Sequence, residues 1–136
     1  MTRPIFVDTS AWCALFDRAD RQHVRAKQYW ESMSGRLGLV YTSDFVLDET
    51  LTLLRMRLGH AAAVQFGKLV QASKVVQVIP VSASRWEHAW SIFVRFEDKD
   101  FSFTDCTSFA IMQELSLREA MAFDHHFIQM GFTLVP

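Results

Sequence analysis

Asp8, Glu49, Asp105 and Asp124 are the residues of this 136-residue chain best suited to do chemistry. Asp8 ends the apolar run Ile5-Phe6-Val7, and Asp124 ends Ala120-Met121-Ala122-Phe123. Glu49 and Asp105 lie in helical stretches beside apolar residues. On a helical wheel Asp44, Asp48, Thr52 and Arg55 form one polar stripe, whereas Glu49 falls with Phe45, Leu53 and Met56, and Asp105 with Phe109 and Met112. A free carboxylate on an apolar face is costly, so such an acid must be paired, protonated or bound to a cation. Clustered carboxylates repel one another unless cations sit between them. Ligation by oxygen alone selects Mg2+ or Mn2+ over zinc or copper. Such a centre can polarise a phosphodiester, activate a water and neutralise the leaving oxygen, with two ions ~4 Å apart if both bind. Thr9, Ser10 and Thr104 add hydroxyls beside the acids, suited to orienting a water or a phosphate oxygen. Metal-dependent phosphodiester hydrolysis uses this set best.

Each acid also has a plainer explanation. An Asp after a strand is commonly the N-cap of the next helix, which would account for Asp8 and Asp124. Glu49 could form a buried salt bridge with Arg55 or Arg57 of its own helix. Ser102-x-x-Asp105 fits a capping box, which also needs its acid at a helix start and is compatible with a metal role. What lifts the set above these explanations is the order of the elements that carry it.

Those elements alternate. Ile5 to Val7 is an uninterrupted apolar strand, suited to burial on both faces of a parallel sheet. The pattern then predicts helices over 11–16 and 22–33, a strand over 39–42, a helix over 45–58 capped by Ser43 or Asp44 and closed by Gly59, and a helix over 60–72. It continues with a strand over 75–81, a helix capped by Ser82 or Ser84, a helix opened by Ser102 or Thr104 and reaching Leu115, a strand over 119–123, a short helix over 124–130 and a last strand over 132–135. This is an α/β chain, a three-layer α/β/α sandwich around a mainly parallel sheet of four to five strands, and one domain spans 1–136. In such a sheet the carboxyl ends of the strands share one edge, where ligands bind. All four acids fall at or just after strand exits.

The bulk properties narrow the classes. Lysine and arginine number 14 against 15 acids, for a net charge of −1, so no global basic footprint marks a pure nucleic-acid-binding module. Arg18, Arg21, Arg25 and Lys27 form a local basic cluster, read first as a solvated helix face and second as a phosphate contact. Cys13 and Cys106 have no metal or redox spacing and are expected as reduced thiols. No apolar run approaches the ~20 residues of a membrane span, and the expected location is the cytoplasm. Trp86, Trp90 and Phe93 share a helix face and are read as core. With Phe96, Phe101 and Phe103, they have a second reading as a dimer or partner surface. Adjacent His125 and His126 point about 100° apart on a helix and are not expected to act as metal ligands.

The stretches Phe6-Val7-Asp8-Thr9-Ser10, Asp48-Glu49-Thr50, Ser102-Phe103-Thr104-Asp105 and Phe123-Asp124-x-His126-Phe127 resemble the acidic motifs of the PIN domain, most closely those of VapC-type toxins of toxin–antitoxin pairs. The resemblance covers the whole chain. It implies a Mg2+- or Mn2+-dependent endoribonuclease acting on an RNA substrate, a homodimer, and a small cognate antitoxin that holds it inactive. By the same match Asp8, Glu49, Asp105 and Asp124 carry the metal and Thr104 or Ser10 assists; Asp100, near the third motif, is a peripheral candidate. Two rival functions share features with this pattern. A phosphoacceptor receiver domain is similar in size but uses a late lysine, and no lysine follows Lys99. A catalytically silent PIN-like domain that only binds RNA or a partner is the alternative.

Overall fold

The computed structural model describes residues 3–33, 35 and 37–136. Strand β1 (Arg3–Val7) leads into helices α1 (Thr9–Phe16) and α2 (His23–Ser32), then β2 (Leu37–Ser43), α3 (Asp44–Leu58), α4 (His60–Ala72) and β3 (Val76–Ile79). Helices α5 (Ala83–Arg95) and α6 (Phe103–Glu114) precede β4 (Glu119–Met121), α7 (His126–Gln129) and β5 (Thr133–Val135). The five strands form one sheet in the order β3-β2-β1-β4-β5, and every neighbouring pair is parallel. The apolar run chosen from the sequence is the centre of this sheet: Ile5, Phe6 and Val7 are fully buried.

Local chemistry sets the boundaries. Ser43 Oγ accepts the Val46 N–H to start α3, and Gly59, at φ 100, ends it where a side chain would be strained. Ser82 and Ser102 cap α5 and α6, so the first of each pair of candidate caps is the one used. The strand expected over 75–81 is shorter, Val76–Ile79, because Pro80 follows and removes a ladder donor. The last short helix begins two residues later than expected, at His126.

Around the sheet, α1 packs on α2 and α3, and α3 on α4, while α5 packs on α6, and α6 on α7. Helix α6 is the most enclosed, with every residue from Asp105 to Met112 buried. Phe109 meets Phe101 and Phe127 edge-on, with ring centroids 4.9 and 5.1 Å away. Burying a side chain of this size contributes about 1.5–3 kcal/mol. Among the described residues no helix is long and apolar enough to cross a membrane.

The aromatic-rich helix departs from its first reading. Trp86, Trp90 and Phe93 are 40, 46 and 42 % exposed, so they are not core. Trp86 stacks on Trp90 at 5.8 Å, Trp90 on Phe93 at 6.1 Å, and the row leans on Phe103 from α6. Phe101, grouped with them in the sequence, belongs to the core instead. A contiguous exposed aromatic row is a typical association surface. Light scattering at tens of micromolar is therefore expected to show a dimer, and Trp90→Glu to shift it to monomer with little change in melting temperature. A wild-type monomer at that concentration would contradict this reading of the row.

Candidate active site

The strand order decides where the acids meet. The chain steps outward from β1 to β2 and β3, then crosses back to place β4 on the other side of β1. Right-handed crossovers in opposite directions put their helices on opposite faces, so a crevice opens between the carboxyl ends of β1 and β4. Asp8 leaves β1 there, with its N–H bonded to the Met121 carbonyl of β4 at 3.0 Å. The Trp12 indole N–H donates to Thr42 Oγ1, whose hydroxyl in turn donates to the Val7 carbonyl, tying α1 and β2 to the exit of β1.

The crevice is a cleft of about 250 Å³ lined by Asp8, Thr9, Ser10, Cys13, Asp20, Glu49, Leu53, Arg57, Asp105, Phe123 and Asp124. All four acids chosen from the sequence line it. Larger hollows lie elsewhere, among them one of about 510 Å³ bordered by Trp12, Phe16, Trp30, Leu69 and Val70, but none gathers this set of carboxylates.

The plainer explanations of the acids turn out to coexist with the cleft. Asp8 is the N-cap of α1, and its Oδ2 accepts from the Ser10 N–H at 3.3 Å and the Ser10 hydroxyl at 2.8 Å. Ser10 Oγ also accepts the Phe123 N–H at 3.0 Å, so one hydroxyl clamps the exits of both strands. Asp105 completes the capping box of α6, its Oδ2 taking the Ser102 N–H at 3.1 Å. Asp124 Oδ1 accepts the His126 N–H at 3.0 Å. In each of these three acids one oxygen is held by protein donors. Among the described residues no hydrogen bond reaches the other. Glu49, half-buried, has neither a hydrogen bond nor an ion pair there, so the salt bridge weighed for it does not form. Arg57 turns instead to Asp17 and Asp20. Asp48, one residue earlier, is exposed, as the wheel requires, but Met56 is 76 % exposed, so the apolar stripe beside Glu49 stops at Leu53.

Two expected helpers separate. Ser10 lines the cleft, whereas Thr104, although adjacent to Asp105, does not. Asp100 is exposed and borders a different hollow, with Trp90 and Phe93. His126 is the residue the sequence reading passed over. Its Nδ1 lies 2.8 Å from Asp105 Oδ2 and 3.7 Å from Asp124 Oδ1. One ligand atom from each of Asp105, Asp124 and His126 falls within 4.8 Å of the others. With Asp105 ionised, Nδ1 carries the proton and donates, so Oδ2 has two donors and only Oδ1 is left for a ligand. The signal was the Asp124-x-His126 spacing, which a turn folds back on itself and a helical wheel misreads.

The electrostatics favour a cation. Burial pushes the Asp8 carboxyl from 3.8 up to about 7, with Asp124 and then Asp105 adding repulsion and the Ser10 hydroxyl partly offsetting it. Burial likewise raises Asp105, against the Ser102 N–H, and the charge of Asp124 raises it further. A desolvated, mutually repelling set of oxygens with unpartnered lone pairs is a donor set that Mg2+ or Mn2+ satisfies. The Cys13 thiol in the same cleft is pushed up to about 11 by burial, too high for a thiolate nucleophile at neutral pH.

Comparison with known proteins agrees with this geometry. The PIN domain profile matches residues 5–133. The chain belongs to the PIN domain family. It is 44 % identical over 131 residues to the 23S rRNA-specific endonuclease VapC20 of Mycobacterium tuberculosis, covering 96 % of this chain and 97 % of that protein. It is 27 % identical over 123 residues to a VapC ribonuclease of Archaeoglobus fulgidus, covering 89 % of this chain and 77 % of that one. The crystal structure of Mycobacterium tuberculosis VapC20, described as a toxin that cleaves the sarcin-ricin loop, superposes with a TM-score of 0.88 at 43 % identity, covering 95 % of this chain and 96 % of that one. The VapC-type resemblance read from the acidic motifs is borne out, and so is the α/β/α fold, with five parallel strands.

Two outcomes follow from the site. Asp8 binds its proton more tightly folded than unfolded, so the stability this confers is full below the unfolded value of 3.8 and is lost as pH rises through about 7. Metal-free protein is thus expected to melt higher in this respect at pH ~5 than at pH ~8, and Asp8→Asn to flatten the difference. Melting curves in chelator test this, and an identical pH response in both proteins would refute it. Separately, His126→Ala is expected to weaken Mn2+ binding by roughly tenfold, as loss of an orienting partner typically does, and His126→Asn to restore part of it through its side-chain N–H. Titration calorimetry reads both; unchanged affinity in His126→Ala would remove the orienting role.

Proposed function

We propose that this protein is a VapC-type endoribonuclease that hydrolyses RNA phosphodiester bonds with the help of Mg2+ or Mn2+. The observation that carries the reading is the convergence of Asp8, Glu49, Asp105 and Asp124 on one cleft at the switch point of the sheet. Asp8, Glu49, Asp105 and Asp124 would hold the metal, which supplies Lewis-acid polarisation of the phosphodiester and a lower pKa for the attacking water.

The protein's own part is preorganisation. Ser10 fixes Asp8 to the exit of β4, and His126 and the Ser102 N–H fix Asp105, so the free oxygens need little rearrangement when a ligand arrives. Glu49 comes from a different element, α3, and closes the set from the side of Leu53. The silent binding alternative would be favoured by a missing or displaced acid, and all four are present at the cleft. By analogy with VapC20, ribosomal RNA is the first substrate to try, and a small antitoxin is the partner expected to restrain the activity in the cytoplasm.

The decisive experiment compares two adjacent acids. Glu49→Gln is expected to lower Mn2+-dependent RNA cleavage by at least ~100-fold, the scale of losing a group that acts in the transition state. Asp48→Asn should keep most activity, since exposed substitutions usually change stability by no more than about 0.5 kcal/mol. Cleavage rates at saturating Mn2+, with circular dichroism as the folding control, decide it. An inactive Asp48→Asn beside an active Glu49→Gln would overturn the assignment, and no cleavage by wild type with either metal would overturn the ribonuclease reading.

A further inference from the structure

The acid cleft does not stop at the acids. Asp20, Arg57 and Phe123 line it and also line a second, wider hollow of about 500 Å³, whose remaining walls include Asp17, Arg21 and Gln22. The two spaces form one trough with Arg57 and Phe123 at the join. Arg57 reaches Asp17 at 3.8 Å and Asp20 at 3.5 Å through the same nitrogen, Nη1. These contacts are long. Beyond the join, the Arg25 guanidinium sits 5.9 Å from the Phe123 ring centroid and donates to the Pro136 carbonyl at 3.2 Å. Arg21 and Arg25 are both exposed, and among the described residues neither joins an ion pair within 4 Å.

The fold therefore splits the basic cluster Arg18, Arg21, Arg25 and Lys27. Arg21 lines the trough and Arg25 sits against Phe123 at its join, while Arg18 and Lys27 line the separate hollow bordered by Trp12 and Trp30. A polyanion approaching four carboxylates on a chain of net charge −1 needs cations placed beside its path. Arginines along a groove with an aromatic at its bend are what a single strand of nucleic acid requires: charge for the backbone and a flat apolar ring for a base.

We propose that the RNA strand leaves the acid cleft over Phe123 and runs along the second hollow, with Arg57, Arg21 and Arg25 on its phosphates. This rests on the ribonuclease reading above and names the part of the surface that holds the substrate. Arg57 is fastened by Asp17 and Asp20, whereas Arg21 and Arg25, the latter held through the Pro136 carbonyl, join no ion pair among the described residues, so this pair can be changed without disturbing a buried acid.

The test uses the full chain in chelator and a labelled single-stranded oligoribonucleotide of about 10 nucleotides, within the usual single-strand site size. Binding is followed by anisotropy over a salt series, with metal-dependent cleavage by wild type measured in parallel. Each phosphate contact on a single strand contributes about −0.7 to the slope of log K against log salt. R21Q/R25Q is expected to make the slope shallower by about 1.4 and R57Q by about 0.7. Phe123→Ala should weaken binding with the slope kept, because stacking carries no charge. R18Q/K27Q should change neither. If wild type cleaves RNA but R21Q/R25Q keeps the full slope, or R18Q/K27Q loses it, the path is wrong and the enzyme reading stands. If wild type neither binds nor cleaves RNA, both fall.

Discussion

The structure depends on keeping mutually repelling carboxylates together in a poorly solvated cleft. Asp8 is almost wholly buried, and its carboxyl is pushed up to about 7, which is the mark of an acid held where its charge is unwelcome. Two forces hold it there. Strand β1 is fixed by the full burial of Ile5, Phe6 and Val7. The Ser10 hydroxyl then bonds Asp8 and the Phe123 N–H together, so the exits of β1 and β4 cannot separate. The repulsion is therefore borne by the rigidity of the sheet centre, and a divalent cation bound among these oxygens would relieve it.

The enclosure of α6 serves the same end from the opposite face. A helix buried from Asp105 to Met112 has little freedom to slide or rotate, because Phe109 is wedged among Phe101, Phe127 and Phe132. Its capping box then sets the phase of its first turn, and Asp105 is delivered to the cleft as a consequence. His126, stacked edge-on against Phe101 at 5.7 Å, arrives from the far side of the same aromatic cluster. One packing unit thus orients both an acid and the imidazole that holds it.

The explanations weighed against one another for each acid prove to be the same explanation. Asp8 caps a helix and Asp105 completes a capping box, and in each case the donors engage one oxygen of the carboxylate. A carboxylate has two oxygens and about four lone-pair sites, so holding one leaves the other for a ligand. Capping is how this fold aims its acids. Among the described residues Glu49 has no such partner, and its place on α3 orients it.

The sequence by itself determined the parts ruled by local pattern. The buried strand 5–7, the serine caps, the Gly59 stop and the choice of Glu49 over Asp48 all follow from periodicity and capping, which act over a few residues. The convergence of the four acids was also legible, because a parallel α/β alternation places all strand exits on one edge. Contacts across the fold were decided by tertiary structure alone. Trp86, Trp90 and Phe93 lie on one face in the sequence, but whether that face meets the sheet or solvent depends on how α5 packs on α6. Thr104 neighbours Asp105 yet misses the cleft, because consecutive residues on a helix diverge. His126 meets Asp105 across 21 positions because the chain folds back after β4, and no local pattern encodes that distance. The basic cluster near α2 was visible as composition. Its division, with Arg21 in the trough, Arg25 against Phe123, and Arg18 and Lys27 in the hollow beside Trp12, is fixed only once α2 and the turn before it are docked.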